Sequence, residues 1–191
     1  MARRSRGVRV IAGSARGRRL VVPPGDEVRP TKDRVREAVF SALDARGAIS
    51  GASVLDLYAG TGALAIEALS RGAEQAVLVE SERAVAATAR LNLDTVGFAD
   101  VARVEMRDVA QFVHAPPVEA PFDLVLCDPP YVLPDDLLAP VLARIADDRW
   151  LAADATVVVE RALQANVEPP TGLRVTWERH FGDTLVAFLQ P

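Results

Sequence analysis

The sequence predicts an α/β protein with a mostly parallel β-sheet, an antiparallel hairpin at the C-terminal end and a small hairpin-and-helix extension at the N-terminal end. From residue 51 onward, short apolar runs alternate with helical segments, which is the pattern of βαβ units in a parallel sheet. Near the C-terminus, two strand-like runs meet at Gly182-Asp183 with no helix between them, and this indicates an antiparallel pair. We therefore divide the chain into an extension, residues 1–48, and a core, residues 49–191.

The extension begins with residues 8–23, in which apolar and basic residues alternate around a Gly-Ser-Ala-Arg-Gly turn. This alternation predicts a β-hairpin with its apolar residues facing inward and its arginines facing solvent. The residues expected to face inward are Val8, Val10, Leu20 and Val22.

A helix is predicted to follow over residues 29–47, with Thr31 as its N-cap and Gly47 at its end. Val35, Val39 and Leu43 recur at helical spacing, so we expect this helix to bury one stripe. The core strands are predicted over residues 53–59, 75–80, 102–108, 122–128 and 155–160. The core helices are predicted over residues 63–72, 82–96, 109–113 and 135–146.

The composition is that of a soluble globular protein, since half of the 191 residues are hydrophobic and a quarter are charged. Cys127 is the only cysteine, which excludes an intramolecular disulfide and any CxxC zinc pattern. The sequence contains no signal-peptide segment and no long uncharged apolar stretch. We therefore expect a cytoplasmic protein, and we expect a monomer because no exposed apolar stripe demands a partner.

The net charge of −4 hides a strong asymmetry along the chain. Residues 1–36 contain eleven basic and three acidic residues, a net charge of +8, so the remainder carries −12. A basic end on an acidic body favours a polyanionic partner that meets that end of the molecule. The alternative is a basic tail that only aids solubility.

Polar residues follow the predicted parallel strands at their carboxyl ends, where open α/β sheets bind ligands. The first strand leads into Gly60-Thr61-Gly62, the second ends in Glu80, and the third ends in Asp108. The fourth strand is followed by Asp128-Pro129-Pro130-Tyr131. Acids and a glycine turn at successive strand ends are hard to explain by packing alone.

The glycine turn by itself is weak evidence, because many strand-to-helix loops contain Gly-x-Gly for turn geometry. Asp56, inside the first strand, is more informative. A carboxylate there would repel a dinucleotide pyrophosphate but attract a cationic ligand, by about 4 kcal/mol for unit charges about 4 Å apart near a protein surface. This favours S-adenosylmethionine over NAD. Glu80 suits the ribose hydroxyls of either cofactor, and Asp108 suits either the adenine amino group or a helix cap.

The Asp-Pro-Pro-Tyr segment, residues 128–131, predicts a binding site for an amine that would accept the methyl group of S-adenosylmethionine. Asp128 offers a carboxylate, and the two prolines offer carbonyls held by a fixed φ, so together they can accept both hydrogens of an exocyclic amine. Tyr131 can stack on the base that carries this amine. An amine conjugated to a purine is a poor nucleophile, and holding its hydrogens directs the lone pair at the methyl donor. The alternative is a proline turn with Tyr131 as a packing residue.

Two stretches carry a family resemblance. "VLDLYAGTGALAIEALSRGA" together with "DPPY" resembles S-adenosylmethionine-dependent amino methyltransferases with a Rossmann-like sheet. "RVIAGSARGRRL" and "RPTKDRVREAVFSAL" narrow the resemblance to bacterial 16S ribosomal RNA guanine-N2 methyltransferases, over nearly the whole chain. The family usually has Phe at the position of Tyr58, and either ring would pack there.

This resemblance implies a site at the strand ends, with residues 128–131 at the target base. The implied cofactor-binding residues are Asp56, Tyr58, Gly60, Thr61, Gly62, Glu80, Ser81, Asp108 and Val109. The partner implied is 16S rRNA or the small ribosomal subunit, with phosphates contacted by basic side chains of the extension. The expected RNA-binding residues are Arg9, Arg16, Arg18, Arg19, Arg29, Thr31, Lys32 and Arg34.

Two rival functions stay open at this point. Asp-Pro-Pro-Tyr serves adenine-N6 methylation of DNA equally well, although only about 48 residues lie outside the core for target recognition. A non-catalytic RNA-binding or assembly factor could also keep this fold. No metal is expected, because His114 and His180 lack partner spacing. Asn92, on the second core helix, is expected to face solvent.

Overall fold

The computed structural model describes residues 8–23, 30–147, 149–164 and 167–191, and the side chains of residues 30–32 lie outside the description. The helices are α1 (Pro30–Asp44), α2 (Ala63–Ser70), α3 (Arg83–Val96), α4 (Val109–Phe112) and α5 (Asp135–Ile145). The strands are β1 (Ser53–Leu57), β2 (Gln75–Glu80), β3 (Ala102–Met106), β4 (Phe122–Cys127), β5 (Leu151–Ala162), β6 (Arg174–Phe181) and β7 (Thr184–Gln190).

Within these residues, the seven strands form one sheet in the order β3-β2-β1-β4-β5-β7-β6. The five strands from β3 to β5 are parallel, while β7 pairs antiparallel with both β5 and β6. This confirms the predicted fold class, a mostly parallel sheet with a C-terminal antiparallel hairpin. β1 lies between β2 and β4, so the ends of these two strands lie on either side of the segment that follows β1.

β5 starts at Leu151, earlier than the predicted strand at 155–160. Its first residues pair irregularly with β4, because the register shifts between Phe122 and Leu124. The exposed residues 153–154 break the apolar run, so the sequence pattern gives no strand signal there.

The extension packs on one face of the sheet, with α2 and α3. An antiparallel bridge joins Arg9 to Arg19, and Val10 and Leu20 are buried between this turn and the core. Their neighbours Val8 and Val22 are half-buried. The hairpin is thus minimal, held by backbone hydrogen bonds such as Leu20 N–H to the Val8 carbonyl at 2.9 Å.

Val10 and Leu20 belong to a hydrophobic core cluster on this face of the sheet, and helix α1 buries the predicted stripe of Val35, Val39 and Leu43 in the same cluster. The helix begins at Pro30, so Thr31 lies inside its first turn and the prediction of Thr31 as N-cap is wrong by a residue or two. Proline is well suited to a first helical position, because its missing N–H would have no intrahelical partner there. The second core cluster fills the opposite face, under α4 and α5. In the described residues, no helix is long and apolar enough to span a membrane.

Candidate active site

The candidate site is built around the turn Gly60-Thr61-Gly62, which we call the cofactor turn. It connects β1 to α2 with positive φ at Gly60 (55°) and Gly62 (81°), and Tyr58 just before it also has a positive φ (61°). A Cβ on Gly62 would lie 2.9 Å from Leu78 Cδ2, so glycine allows α2 to pack closely on β2. A Cβ on Gly60 would meet nothing within 4 Å, so the chain is open on that side.

Asp56 lies beneath the cofactor turn with 0% of its surface exposed. Its Oδ2 accepts a hydrogen bond from the Ala65 N–H at 3.1 Å, near the start of α2. Its Oδ1 is buried with no hydrogen-bond partner among the described residues. The pKa of Asp56 is raised to about 8, mainly by burial, and the carboxylates of Asp128 and Glu80 act in the same direction while the Ala65 N–H acts against them. A cation bound nearby would favour the ionised form of this carboxyl group, which keeps its proton at neutral pH when the cation is absent.

Glu80 joins the ends of β1 and β2 through its carboxylate. Oε2 accepts from the Gly60 N–H at 3.0 Å, and Oε1 accepts from the Glu82 N–H at 2.7 Å. These two bonds fix the carboxylate beside the cofactor turn. Each oxygen has a second lone pair, so the pair of oxygens is preset to accept from a diol.

The other predicted cofactor residues lie in the segments that follow β1, β2 and β3. Asp108 caps α4 by accepting from the Gln111 N–H at 3.1 Å, which is one of the two interpretations left open by the sequence. Its side chain remains exposed at the strand end, as does that of Ser81, whereas Val109 is buried. Tyr58 is half-buried against the core cluster under α4 and α5.

The Asp-Pro-Pro-Tyr loop follows β4 directly, with Asp128 half-buried and Pro129 buried. The carbonyl of exposed Pro130 accepts from the Leu133 N–H at 2.8 Å, so this carbonyl closes a turn within the loop. Of the two proline carbonyls that we expected to hold an amine, one is therefore already engaged.

Tyr131 is tied to strands far along the chain. Its hydroxyl donates to Glu160 Oε1 at 3.3 Å and lies 2.8 Å from Thr184 Oγ1. The hydroxyl is thus held by the ends of β5 and β7, and the half-buried ring is fixed relative to Asp128.

Arg161 holds the same loop from the other face of the sheet, and the sequence analysis did not identify it. It is 3% exposed, and its Nη2 donates to the Leu133 carbonyl and to Asp135 Oδ1, both at 2.7 Å. Its Nε and Nη1 are buried without a hydrogen-bond partner in the described part of the chain. The signal in the sequence was a charged pair, Glu160-Arg161, closing an apolar run.

The predicted RNA-binding residues lie on the extension, apart from the cofactor turn in sequence. Those with described side chains, namely Arg9, Arg16, Arg18, Arg19 and Arg34, are all exposed. Arg18 also donates from Nη2 to the Thr95 carbonyl on α3, so part of its guanidinium is engaged. Arg29 lies outside the described residues, as do the side chains of Thr31 and Lys32.

Asn92 does not face solvent, so that prediction is wrong. The side chain is 0% exposed on α3, and its Oδ1 accepts from the Val21 N–H at 2.7 Å. Its Nδ2 donates to the Val21 carbonyl at 3.0 Å and to the Thr61 carbonyl at 2.9 Å. Because helix periodicity alone cannot reveal a segment that folds over the helix, the sequence pattern gave no sign of this burial.

The described residues contain no group of three or more histidine, cysteine, aspartate or glutamate side chains that could hold a metal ion. Burial, together with nearby Asp128 and Asp56, raises the pKa of Cys127 above its usual range, so this thiol stays protonated and is a poor nucleophile.

Comparisons with known proteins agree on one family. A model described as "Conserved hypothetical protein 95" matches residues 8–190. Ribosomal RNA small subunit methyltransferase D of Escherichia coli (strain K12) is 38% identical over 173 residues, covering 91% of this chain and 82% of that protein. Its namesake from Haemophilus influenzae is 35% identical over 154 residues, covering 80% of this chain and 78% of that protein.

A solved structure is also similar. "Putative methyltransferase yhhF from Escherichia coli" superposes with a TM-score of 0.82 at 36% identity, covering 96% of this chain and 97% of that chain. Sequence and structure thus match over the extension as well as the core. The chain belongs to the conserved hypothetical protein 95 family and is a relative of ribosomal RNA small subunit methyltransferase D.

Proposed function

We propose that this rRNA methyltransferase transfers a methyl group from S-adenosylmethionine to the exocyclic N2 amine of a guanine in 16S rRNA. One observation carries the proposal: two carboxylates of different character meet at the ends of adjacent strands. Asp56 in β1 is fully buried, Asp128 after β4 is half-buried, and Asp128 lies close enough to raise the pKa of Asp56. The first suits a cationic donor, and the second suits an amine with hydrogens to give.

The cofactor half of the site fits S-adenosylmethionine, which supplies a methyl group on a positively charged sulfonium. The unpartnered Oδ1 of buried Asp56 favours positive charge nearby, at the methionine end of the cofactor. Gly60 leaves open space at the cofactor turn. Glu80 is preset to accept from the ribose hydroxyls. Asp108 and Val109 would bound the adenine. Tyr58, Thr61 and Ser81 complete the residues that we assign to this half.

The acceptor half would hold the target guanine. Asp128 and the Pro129 carbonyl accept the two hydrogens of the N2 amine, since the Pro130 carbonyl closes the turn to Leu133. Tyr131 presents its ring to the base while its hydroxyl is tied to Glu160 and Thr184. These residues orient the amine lone pair toward the donor, and orientation of this kind can supply much of the rate. The methylated amine then loses a proton, for which Asp128 is the adjacent acceptor.

The names of the relatives favour RNA over DNA as the substrate. The two relatives described above are named for ribosomal RNA of the small subunit. The exposed arginines of the extension, Arg9, Arg16, Arg19 and Arg34, suit contacts with phosphates, and Arg18 retains donors for the same role. The remaining segment of Arg29, Thr31 and Lys32 we assign to the RNA on the family resemblance alone. We place the protein in the cytoplasm, where its substrate is assembled.

The experiment uses S-adenosylmethionine labelled at the methyl group and small ribosomal subunits that lack the modification. RNA is then digested to nucleosides, and the labelled nucleoside is identified. We expect label in N2-methylguanosine, and none when the Asp128→Ala variant replaces the wild type. Label in N6-methyladenine of added DNA would support the DNA enzyme instead. Transfer to neither substrate would favour the non-catalytic assembly factor.

A further inference from the structure

We infer that Asn92 is a positioning residue that joins the RNA-contacting extension to the cofactor turn, so that RNA and cofactor each tighten the binding of the other. This inference rests on the proposed function and adds to it a coupling between the two ligands. It starts from a side-chain amide that contacts both regions and is completely shielded from water.

The three hydrogen bonds of Asn92 use both amide hydrogens and the amide oxygen. Two of them pair with the backbone of Val21, N–H and carbonyl, in the way that a neighbouring strand would. The third goes to the carbonyl of Thr61, the middle residue of the cofactor turn. One planar group therefore fixes the distance between the extension and the turn, and moving either side breaks a buried hydrogen bond.

The rest of the extension is docked by contacts that do not involve the cofactor turn. The Glu67 carboxylate, 1% exposed on α2, accepts from the N–H groups of Ile11 and Ala12 at 2.7 and 3.0 Å. The Ser70 hydroxyl accepts from the Ala15 N–H at 3.0 Å. Loss of Asn92 should therefore loosen Val21 and Thr61 while α2 keeps hold of residues 11–15.

The coupling follows from this arrangement. RNA phosphates on the exposed arginines of the extension hold it against the core, and the docked extension keeps the Asn92 amide on Val21. That amide in turn holds the Thr61 carbonyl, between the two glycines whose positive φ shapes the turn. By thermodynamic linkage, RNA tightens cofactor binding by the same factor as cofactor tightens RNA binding.

The test measures binding without turnover, using labelled S-adenosylhomocysteine in equilibrium dialysis with and without unmodified small ribosomal subunits. The ratio of the two dissociation constants is the coupling factor. For the wild type we expect a factor clearly above one. For Asn92→Ala we expect cofactor affinity without RNA to fall about fivefold, as for one net hydrogen bond, and the coupling factor to fall to about one.

Two further variants separate this role from general loss of stability. Ser70→Ala removes two hydrogen bonds of the extension, from the Ala15 N–H and to the Ala12 carbonyl, without touching the cofactor turn. Its cofactor affinity without RNA should therefore equal that of the wild type. Val21→Pro removes the N–H that donates to Asn92 Oδ1, and it also fixes φ at residue 21, while the Asn92 amide and its bond to Thr61 stay in place. Its coupling factor should also fall. This variant keeps the inference testable if Asn92→Ala fails to fold.

Three results would overturn the inference: a wild type that binds both ligands independently, an Asn92→Ala protein with the wild-type coupling factor, or a Ser70→Ala protein as impaired as Asn92→Ala in cofactor affinity. A wild type that binds no S-adenosylhomocysteine at all would instead count against the proposed function.

Discussion

The cofactor half and the acceptor half of the site are held in place by different kinds of contact. In the cofactor half, the carboxylates of Asp56 and Glu80 accept from backbone N–H groups in the segments that follow β1 and β2, namely those of Ala65, Gly60 and Glu82. These contacts depend on chain geometry, and any residue other than proline that keeps the same backbone conformation at the donor positions would preserve them.

In the acceptor half, the stabilising contacts are made by side chains that lie far from the loop in sequence. Tyr131 contacts Thr184, 53 residues away, and Arg161 contacts the Leu133 carbonyl from 28 residues away. The shape of the Asp-Pro-Pro-Tyr loop thus depends on the identity of residues at the ends of β5 and β7. The comparison teaches that cofactor affinity and turnover can be changed separately, because different residues hold the two halves.

The largest expected effect, and the sharpest test of this separation, is that of Asp128→Asn. The amide keeps the size of the side chain but loses the negative charge that accepts amine hydrogens and the final proton. We expect kcat to fall about a hundredfold or more, while the dissociation constant for S-adenosylmethionine stays within about twofold. Single-turnover methylation and calorimetry measure the two quantities. Asp154→Asn, at an exposed acid of β5, is the control. An equal loss of both quantities would remove Asp128 from the acceptor half.

Glu80→Gln should affect the opposite half. The amide would bring an NH₂ group toward the N–H donors of Gly60 and Glu82, where two acceptor oxygens now lie. We expect the affinity for S-adenosylmethionine to fall about tenfold, with kcat at saturating cofactor within about threefold. Glu82→Gln, at the exposed neighbouring side chain, should behave as the wild type. Unchanged affinity in Glu80→Gln would exclude the ribose role of this residue.

Arg161→Met tests whether the contacts of Arg161 hold the Asp-Pro-Pro-Tyr loop in position. Methionine fills much of the buried volume but cannot donate to the Leu133 carbonyl or to Asp135, so the loop should lose its fixed position. We expect kcat to fall about tenfold at unchanged cofactor affinity. Arg149→Met, at an exposed arginine beside α5, is the matched control, and its kcat and cofactor affinity should equal those of the wild type. A fall in cofactor affinity equal to that in kcat would mean that Arg161 supports the whole sheet edge rather than the loop.

Asp56 makes the free energy of unfolding of the protein depend on pH. Its pKa is raised from 3.8 to about 8 in the folded protein, so the folded state keeps a proton that the unfolded state releases. The contribution of Asp56 to the free energy of unfolding therefore falls as pH rises from about 4 to about 8, and it is level above that range. Urea unfolding of wild type and Asp56→Asn should show curves whose difference changes in that pH window. A constant difference between pH 5 and pH 8 would contradict the burial of an ionisable group there.

The fold could be predicted because the strands and helices of the core have a local pattern of apolar residues, as in the apolar runs of β1 and β2. The cofactor turn and the acids at the strand ends could be located for the same reason, since parallel strands bring their carboxyl ends to one edge. Asn92 and Arg161 could not be found in this way. Their roles depend on partners 71 and 28 residues away, and nothing in the sequence around either residue specifies those partners.

The smallest expected effect concerns the Tyr131 hydroxyl. Tyr131→Phe keeps the ring for stacking but loses the contacts to Glu160 and Thr184, so we expect kcat to fall only about twofold to fivefold. Thr184→Val removes one partner of the same hydroxyl, and the double variant should be no worse than Tyr131→Phe alone, because both changes break one shared contact. Tyr131→Ala, which removes the ring, should cost clearly more than Tyr131→Phe. Equal kcat values for Phe and Ala at this position would show that the ring does not support the base, and that the hydroxyl alone sets the shape of the loop.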